Sequence, residues 1–181
     1  SGLCSNERVP QIPCISGPIQ RGVSLTSTGV LDVDIERVEI SGQVTLEGAA
    51  LPDEDGDRGH LLFSLEEGGS IATPSFDRSG TVNYQLTLLP GSYDVNFVAN
   101  SSLCGDTPPA VPCVGGVVHE ELSLTADGVL DVDLTPVAVS GVVTLEGAQL
   151  PDEPLGRGML NWSRLDGGTA GKDLETNGPG E

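Results

Sequence analysis

The chain has 181 residues and a formal net charge of −19, is 37% hydrophobic but only 3% aromatic, and carries one lysine, Lys172. That charge repels phosphate backbones and excludes nucleic acid as a natural partner, and no apolar run reaches the ~20 residues that a membrane span requires. Packed domains are allowed, with interiors of Val, Leu and Ile rather than rings.

Taken in chain order, the pattern is β throughout. Cys4 and Cys14 come first, and then Leu31, Val33 and Ile35 alternate with Asp32 and Asp34. Val38, Ile40, Val44 and Leu46 alternate with Glu39, Ser41, Gln43 and Thr45, a period of two over a β-branched run. Leu61, Phe63 and Leu65 predict the next strand, and a short one is expected near Ser70–Phe76. Val82, Tyr84, Leu86 and Leu88 share a face, and the Pro90-Gly91 pair marks a tight turn into Tyr93, Val95 and Phe97. Val118, Leu122 and Leu124 follow, then Leu130, Val132 and Leu134. Seven short strands at this spacing predict a sandwich. No stretch offers a helical period.

The pattern repeats. Residues 24–70 and 123–169 align without gaps at an offset of 99 and share 28 of 47 residues. The cysteines follow the same period, Cys14 matching Cys113 and Cys4 matching Cys104 within one residue. The expected organisation is therefore the end of one repeat (residues 1–36), a complete repeat (37–136) and the start of a third (137–181). That frame, with no initiator Met and no leader, reads as a processed form or a window on a longer tandem array. Inward positions are odd-numbered at Leu31, Val33 and Ile35 but even-numbered at Val38 and Ile40, and Leu130–Val139 repeats the change. Side chains alternate strictly along a strand, so a change of parity means a bend that serves a new core. Arg37 and Pro136 thus mark the module joint, with too little chain between modules for a flexible linker.

The segments ISGQVTLEGAALPDE, VSGVVTLEGAQLPDE and YQLTLLPGSYDVNF resemble carboxypeptidase regulatory-like domains, the transthyretin-like sandwiches found in tandem on secreted bacterial proteins. The resemblance covers Val38–Thr135 and parts of both flanks. It implies a seven-stranded, Greek-key-like sandwich used as a spacer, stalk or adhesive unit, and it implies nothing for the insertion between Cys104 and Cys113.

Two close cysteine pairs, Cys4/Cys14 and Cys104/Cys113, sit at the same place in each repeat. They read as local disulfides in an oxidising compartment, each closing a loop of ~10 residues, with bridging between chains as the alternative. A metal site needs two further ligands per pair, and no Cys-x-x-Cys or His pair supplies them.

Asp53, Asp55 and Asp57, with Glu54 among them, are the calcium candidates, set against a solvated loop tip. An EF-hand would need Gly and Glu where Arg58 and Ser64 stand, and the other copy keeps only Asp152 and Glu153. Asp32, Asp34, Asp131 and Asp133 read as outward charges that protect a sheet edge, with cation binding as the alternative. Catalysis lacks a base common to both copies: Met159 replaces His60, and Gln20 stands where His119 does. The Gly68-Gly69 and Gly167-Gly168 pairs read as hairpin turns. Asn100-Ser-Ser and Asn161-Trp-Ser fit the glycosylation sequon. The complete repeat has no lysine, which excludes an isopeptide crosslink within it.

The expected function is structural: an extracellular or cell-surface stalk, fibre or filament of end-to-end modules without enzymatic activity or cofactor. Its partners are copies of itself or adjacent repeats, and residues 137–181 are completed by strand addition. The alternative is a binding or spacer module, for carbohydrate, protein or calcium, in a larger secreted adhesin or enzyme.

Overall fold

A computed structural model describes residues 12–24, 26–103, 110–153, 156–164 and 167–174. In chain order the strands are β1 (Val38–Leu46), β2 (Ala49–Ala50), β3 (His60–Leu65), β4 (Ser70–Ala72), β5 (Val82–Leu88), β6 (Gly91–Val98) and β7 (Gly116–Leu124). β8 (Gly128–Val129), β9 (Val132–Leu134), β10 (Thr144–Leu145), β11 (Ala148–Gln149), β12 (Met159–Arg164) and β13 (Gly167–Asp173) follow. Among the described residues there is no α-helix; one 3-10 turn spans Ser101–Leu103. The fold is all-β, and among the described residues no helix is long and apolar enough to cross a membrane.

The strands from β1 to β9 build two sheets. In the first, β1 runs between antiparallel β5 on one edge and β8 and β9, both parallel to it, on the other; β2 folds back on the end of β1. The second has the order β4-β3-β6-β7, antiparallel throughout. The alternation read from the sequence decides which side chains turn inward. Val38, Ile40, Val44, Val82, Leu86 and Leu88 of the first sheet and Leu61, Phe63, Tyr93, Val95 and Phe97 of the second are buried in one cluster. The Phe63 and Tyr84 rings meet across it with centroids 5.9 Å apart. Burying a side chain of this kind is worth roughly 1.5–3 kcal/mol, and here the aliphatics supply most of that.

The turn into β6 is fixed by Tyr93, whose hydroxyl reaches back to donate to the Leu89 carbonyl at 2.7 Å. Burial pushes this phenol up to about 12, so it remains a donor. The Leu-Pro-Gly-x-Tyr segment is thereby a corner clasp of the kind sandwich folds use.

Among the described residues, the C-terminal flank contains some of the same elements. β12 falls 99 residues after β3, and the β10–β11 hairpin falls 99 after the end of β1 and β2. Residues 26–36 form no strand, and Leu31, Val33 and Ile35, expected to face inward, are about half exposed. Their repeat equivalents Val132 and Leu134 are buried because β1 lies beside them. Val137 and Val139 are likewise exposed, whereas Val38 and Ile40 are buried.

Candidate functional site

The most specific chemistry lies along the seam between β1 and the β8–β9 edge. Register is constant: Ile40 faces Gly128, Ser41 faces Val129, Val44 faces Val132 and Leu46 faces Leu134. The ladder nevertheless breaks at Leu130. Its amide donates to the Ser41 carbonyl at 2.8 Å, and in a regular parallel ladder its own carbonyl would then accept from the Gln43 amide. That carbonyl instead turns inward and accepts the Tyr84 hydroxyl at 2.5 Å. The Asp131 carboxylate takes the vacated place, accepting the Gln43 amide at 2.9 Å.

The same substitution recurs along the seam. Asp127 accepts the Glu39 amide at 2.8 Å. Asp133 accepts both the Thr45 hydroxyl, at 2.6 Å, and the Gly48 amide, at 2.8 Å. The Glu47 amide then donates to the Leu134 carbonyl at 3.0 Å. The hydrogen bonds from Thr45, then Gly48, hold the Asp133 carboxyl below the usual carboxylate range. Burial, then the nearby Asp131 charge, pushes the Tyr84 phenol up. Reading Asp131 and Asp133 as charges that repel a partner strand is therefore corrected. They are acceptors that bind one.

Gly42 makes the inward carbonyl sterically feasible. It faces Tyr84 across the sheet, and a Cβ at this inward position would overlap the Leu130 carbonyl. The Ser-Gly-x-Val motif thus encodes the seam: its glycine leaves room for a carbonyl supplied 88 residues later.

The acidic loop does something other than gather a cation. Asp53 accepts the Gly80 amide at 3.2 Å, and Glu54 accepts the amides of Ala110 and Val111 at 2.7 and 3.1 Å. Asp55 and Asp57 do not join them: among the described residues no group of three or more His, Cys, Asp or Glu side chains is placed to hold a metal.

At the centre of this loop lies a residue that sequence reasoning treated only as a mismatch. Arg58 is 1% exposed. Its guanidinium donates to the carbonyls of Leu51 (2.8 Å), Pro52 (3.3 Å), Gly80 (2.8 Å) and Asp77. A buried cation is tolerable only when so surrounded by acceptors. Arg157, 99 residues on, donates to Leu150 at 3.3 Å, the equivalent carbonyl. The signal was available, because this arginine is retained although the three residues before it, Asp55, Gly56 and Asp57, are all replaced in the other copy.

His60 opens β3 and His119 lies in β7 opposite Val95; both are half-buried. The Asn100 amide of the first sequon donates to the Asp57 carbonyl at 3.0 Å, and its carbonyl side accepts from Ser102. Cys4 and Cys104 lie outside the described residues; neither Cys14 nor Cys113 is a free thiol.

Of the joint residues, Arg37 pairs with Glu39 at 3.0 Å on the surface, and Pro136 is exposed between β9 and the following copy. Contact between repeats is made elsewhere, at the β3–β4 hairpin. Ile15 is buried in the main cluster, the Ser16 carbonyl accepts the Gly69 amide at 2.6 Å, and Arg21 pairs with Glu67 at 2.8 Å. In the next copy β13 touches β7.

No family model and no curated protein matches this sequence. Among solved structures the chain is similar to a DUF3823 family protein from Parabacteroides merdae, at 15% identity and a TM-score of 0.37, over 77% of this chain and 81% of that one. A superposition this loose assigns neither a shared topology nor an activity.

Proposed function

We propose that the chain is a structural, extracellular repeat protein, in which transthyretin-like, Greek-key-like sandwiches follow one another end to end as a stalk, fibre or surface filament. The observation that carries this reading is the joint. Only Thr135 and Pro136 separate the end of β9 from the counterpart of β1 at Val137. The segment before the complete module is also clipped to the β3–β4 hairpin through Ser16 and Arg21. A connection this short, braced by a second contact, gives a stiff array rather than beads on a string.

The reading includes Cys4–Cys14 and Cys104–Cys113 disulfides, which suit an oxidising exterior and staple a Pro-rich loop. It includes no catalytic role. The acidic surface keeps such an array soluble. Small-angle scattering and electron microscopy of the chain test it: an elongated particle with an axial spacing of a few nanometres per repeat supports the rod. A rounded particle, or modules swinging freely about residues 134–137, refutes it. Peptide mapping without reductant checks the pairing of the four cysteines.

A further inference from the structure

Two segments of the chain repeat the two halves of a seam whose assembled form lies between them. Residues 28–35 repeat Asp127–Leu134, and residues 138–147 repeat Glu39–Gly48. Among the described residues, 28–35 lie in no strand, and Val143 is an isolated bridge beside β10, whose partner is β11; neither segment shows the parallel partner that its equivalent has. We infer that residues 28–35 of one copy dock in parallel on residues 138–147 of a second copy, joining copies head to tail.

The register follows from the seam already described. Gly29 faces Val139, Val30 faces Ser140, Val33 faces Val143, Asp34 faces Thr144 and Ile35 faces Leu145. Asp32 takes the place of Asp131 and accepts the Val142 amide. Asp34 takes the place of Asp133 and accepts the Thr144 hydroxyl and the Gly147 amide. The Leu31 carbonyl enters the space beside Gly141. Docking covers Val33 and Ile35 on one copy and Val139 on the other, all now exposed.

The receiving strand is already shaped for this. Glu146 and Gly147 have φ of 52° and 81°, against 51° and 77° at Glu47 and Gly48. The turn that aims the Gly48 amide at Asp133 is therefore formed at Gly147 before any partner arrives. Among the described residues β10 pairs with β11, as the end of β1 pairs with β2, and the edge away from β11 is the one the incoming strand needs. The two surfaces differ from each other, so the contact is heterologous and propagates unless rotation closes it.

This inference rests on the rod reading, and the two fail separately. The decisive variant is Gly141→Ala in the full chain. No atom lies within 4 Å of a Cβ built there, so the melting temperature of the monomer is expected to stay unchanged. The incoming Leu31 carbonyl would collide with that Cβ, so the concentration-dependent growth seen for the wild type by sedimentation velocity is expected to be lost. Asp32→Asn with Asp34→Asn weakens assembly by at least about tenfold.

A Val30→Cys, Ser140→Cys chain, whose substituted positions face solvent, gives a ladder of dimers, trimers and longer species without reductant; either substitution alone stops at dimers. A wild-type chain that remains monomeric as concentration is raised overturns the inference, as does a Gly141→Ala chain that assembles normally. If that monomer still scatters as a rod, the proposed function stands without copy-to-copy docking. If the ladder forms but its particles are not elongated, the docking stands and the rod falls.

Discussion

The complete module and the flanking copies carry nearly the same sequence pattern, yet the apolar residues of one are buried and those of the other are bare. Val38 is 3% exposed and its repeat equivalent Val137 is 85% exposed; Val132 is 2% exposed and its equivalent Val33 is 49%. Period-two alternation therefore determines which side of a strand is apolar but not whether that side is covered. Coverage requires a second strand in register, and in this chain that strand comes from 88 residues away in sequence. Short-range features survive in the flank after the module: the Glu-Gly turn forms as it does in the centre, and β12 and β13 pair as β3 and β4 do, over a longer stretch. The long-range seam does not.

Substitutions at equivalent positions should widen or close this contrast. The largest effect is expected at Arg58. Arg58→Met leaves buried carbonyls without their donor and should destabilise the complete module by about 3–5 kcal/mol in denaturant titration, whereas Arg157→Met should cost far less. Equal losses at the two sites would show that the loops are equally built. Gly42→Ala should follow, at about 2–3 kcal/mol, because the strand and the Leu130 carbonyl must separate.

Smaller still is Tyr84→Phe, which removes the donor to Leu130 while keeping the ring; about 1–2 kcal/mol is expected from thermal melts. An unchanged melt would mean that water replaces the hydroxyl. The least effect is the acid response of Asp133. Its folded pKa is depressed, so its contribution is fully present above the unfolded value of about 3.9 and is lost as pH falls through the folded one. Asp133→Asn should remove that part of the decline below about pH 4 in melting temperature against pH.

Strand positions were legible because each depends on neighbours two residues apart. β1, β3, β5 and β6 fall where their apolar alternation puts them, and the Pro90-Gly91 turn lies between β5 and β6. The short strand expected near Ser70–Phe76 extends only over Ser70–Ala72. What was not legible depends on partners distant in sequence. Asp131 and Asp133 look like solvent-facing charges until β1 is placed beside them, and only then do their oxygens meet the Gln43 and Gly48 amides. Leu130 has the spacing of an inward side chain and packs partly buried against the core, but nothing in that spacing says that its carbonyl turns in as well. Arg58 was visible as a residue common to both copies, but nothing local says that a cation will sit among four carbonyls drawn from residues 51 to 80.

The parallel direction of β1 and β9 has a mechanical meaning. Tension that enters the module at Val38 and leaves at Leu134 pulls neighbouring strands lengthwise past each other. Every bond from Glu39 to Leu134 then bears load together, in shear, rather than opening one after another like a zipper. The carboxylates of Asp127, Asp131 and Asp133 act as rivets along that line, and the force needed to part the module is set by the seam as a whole.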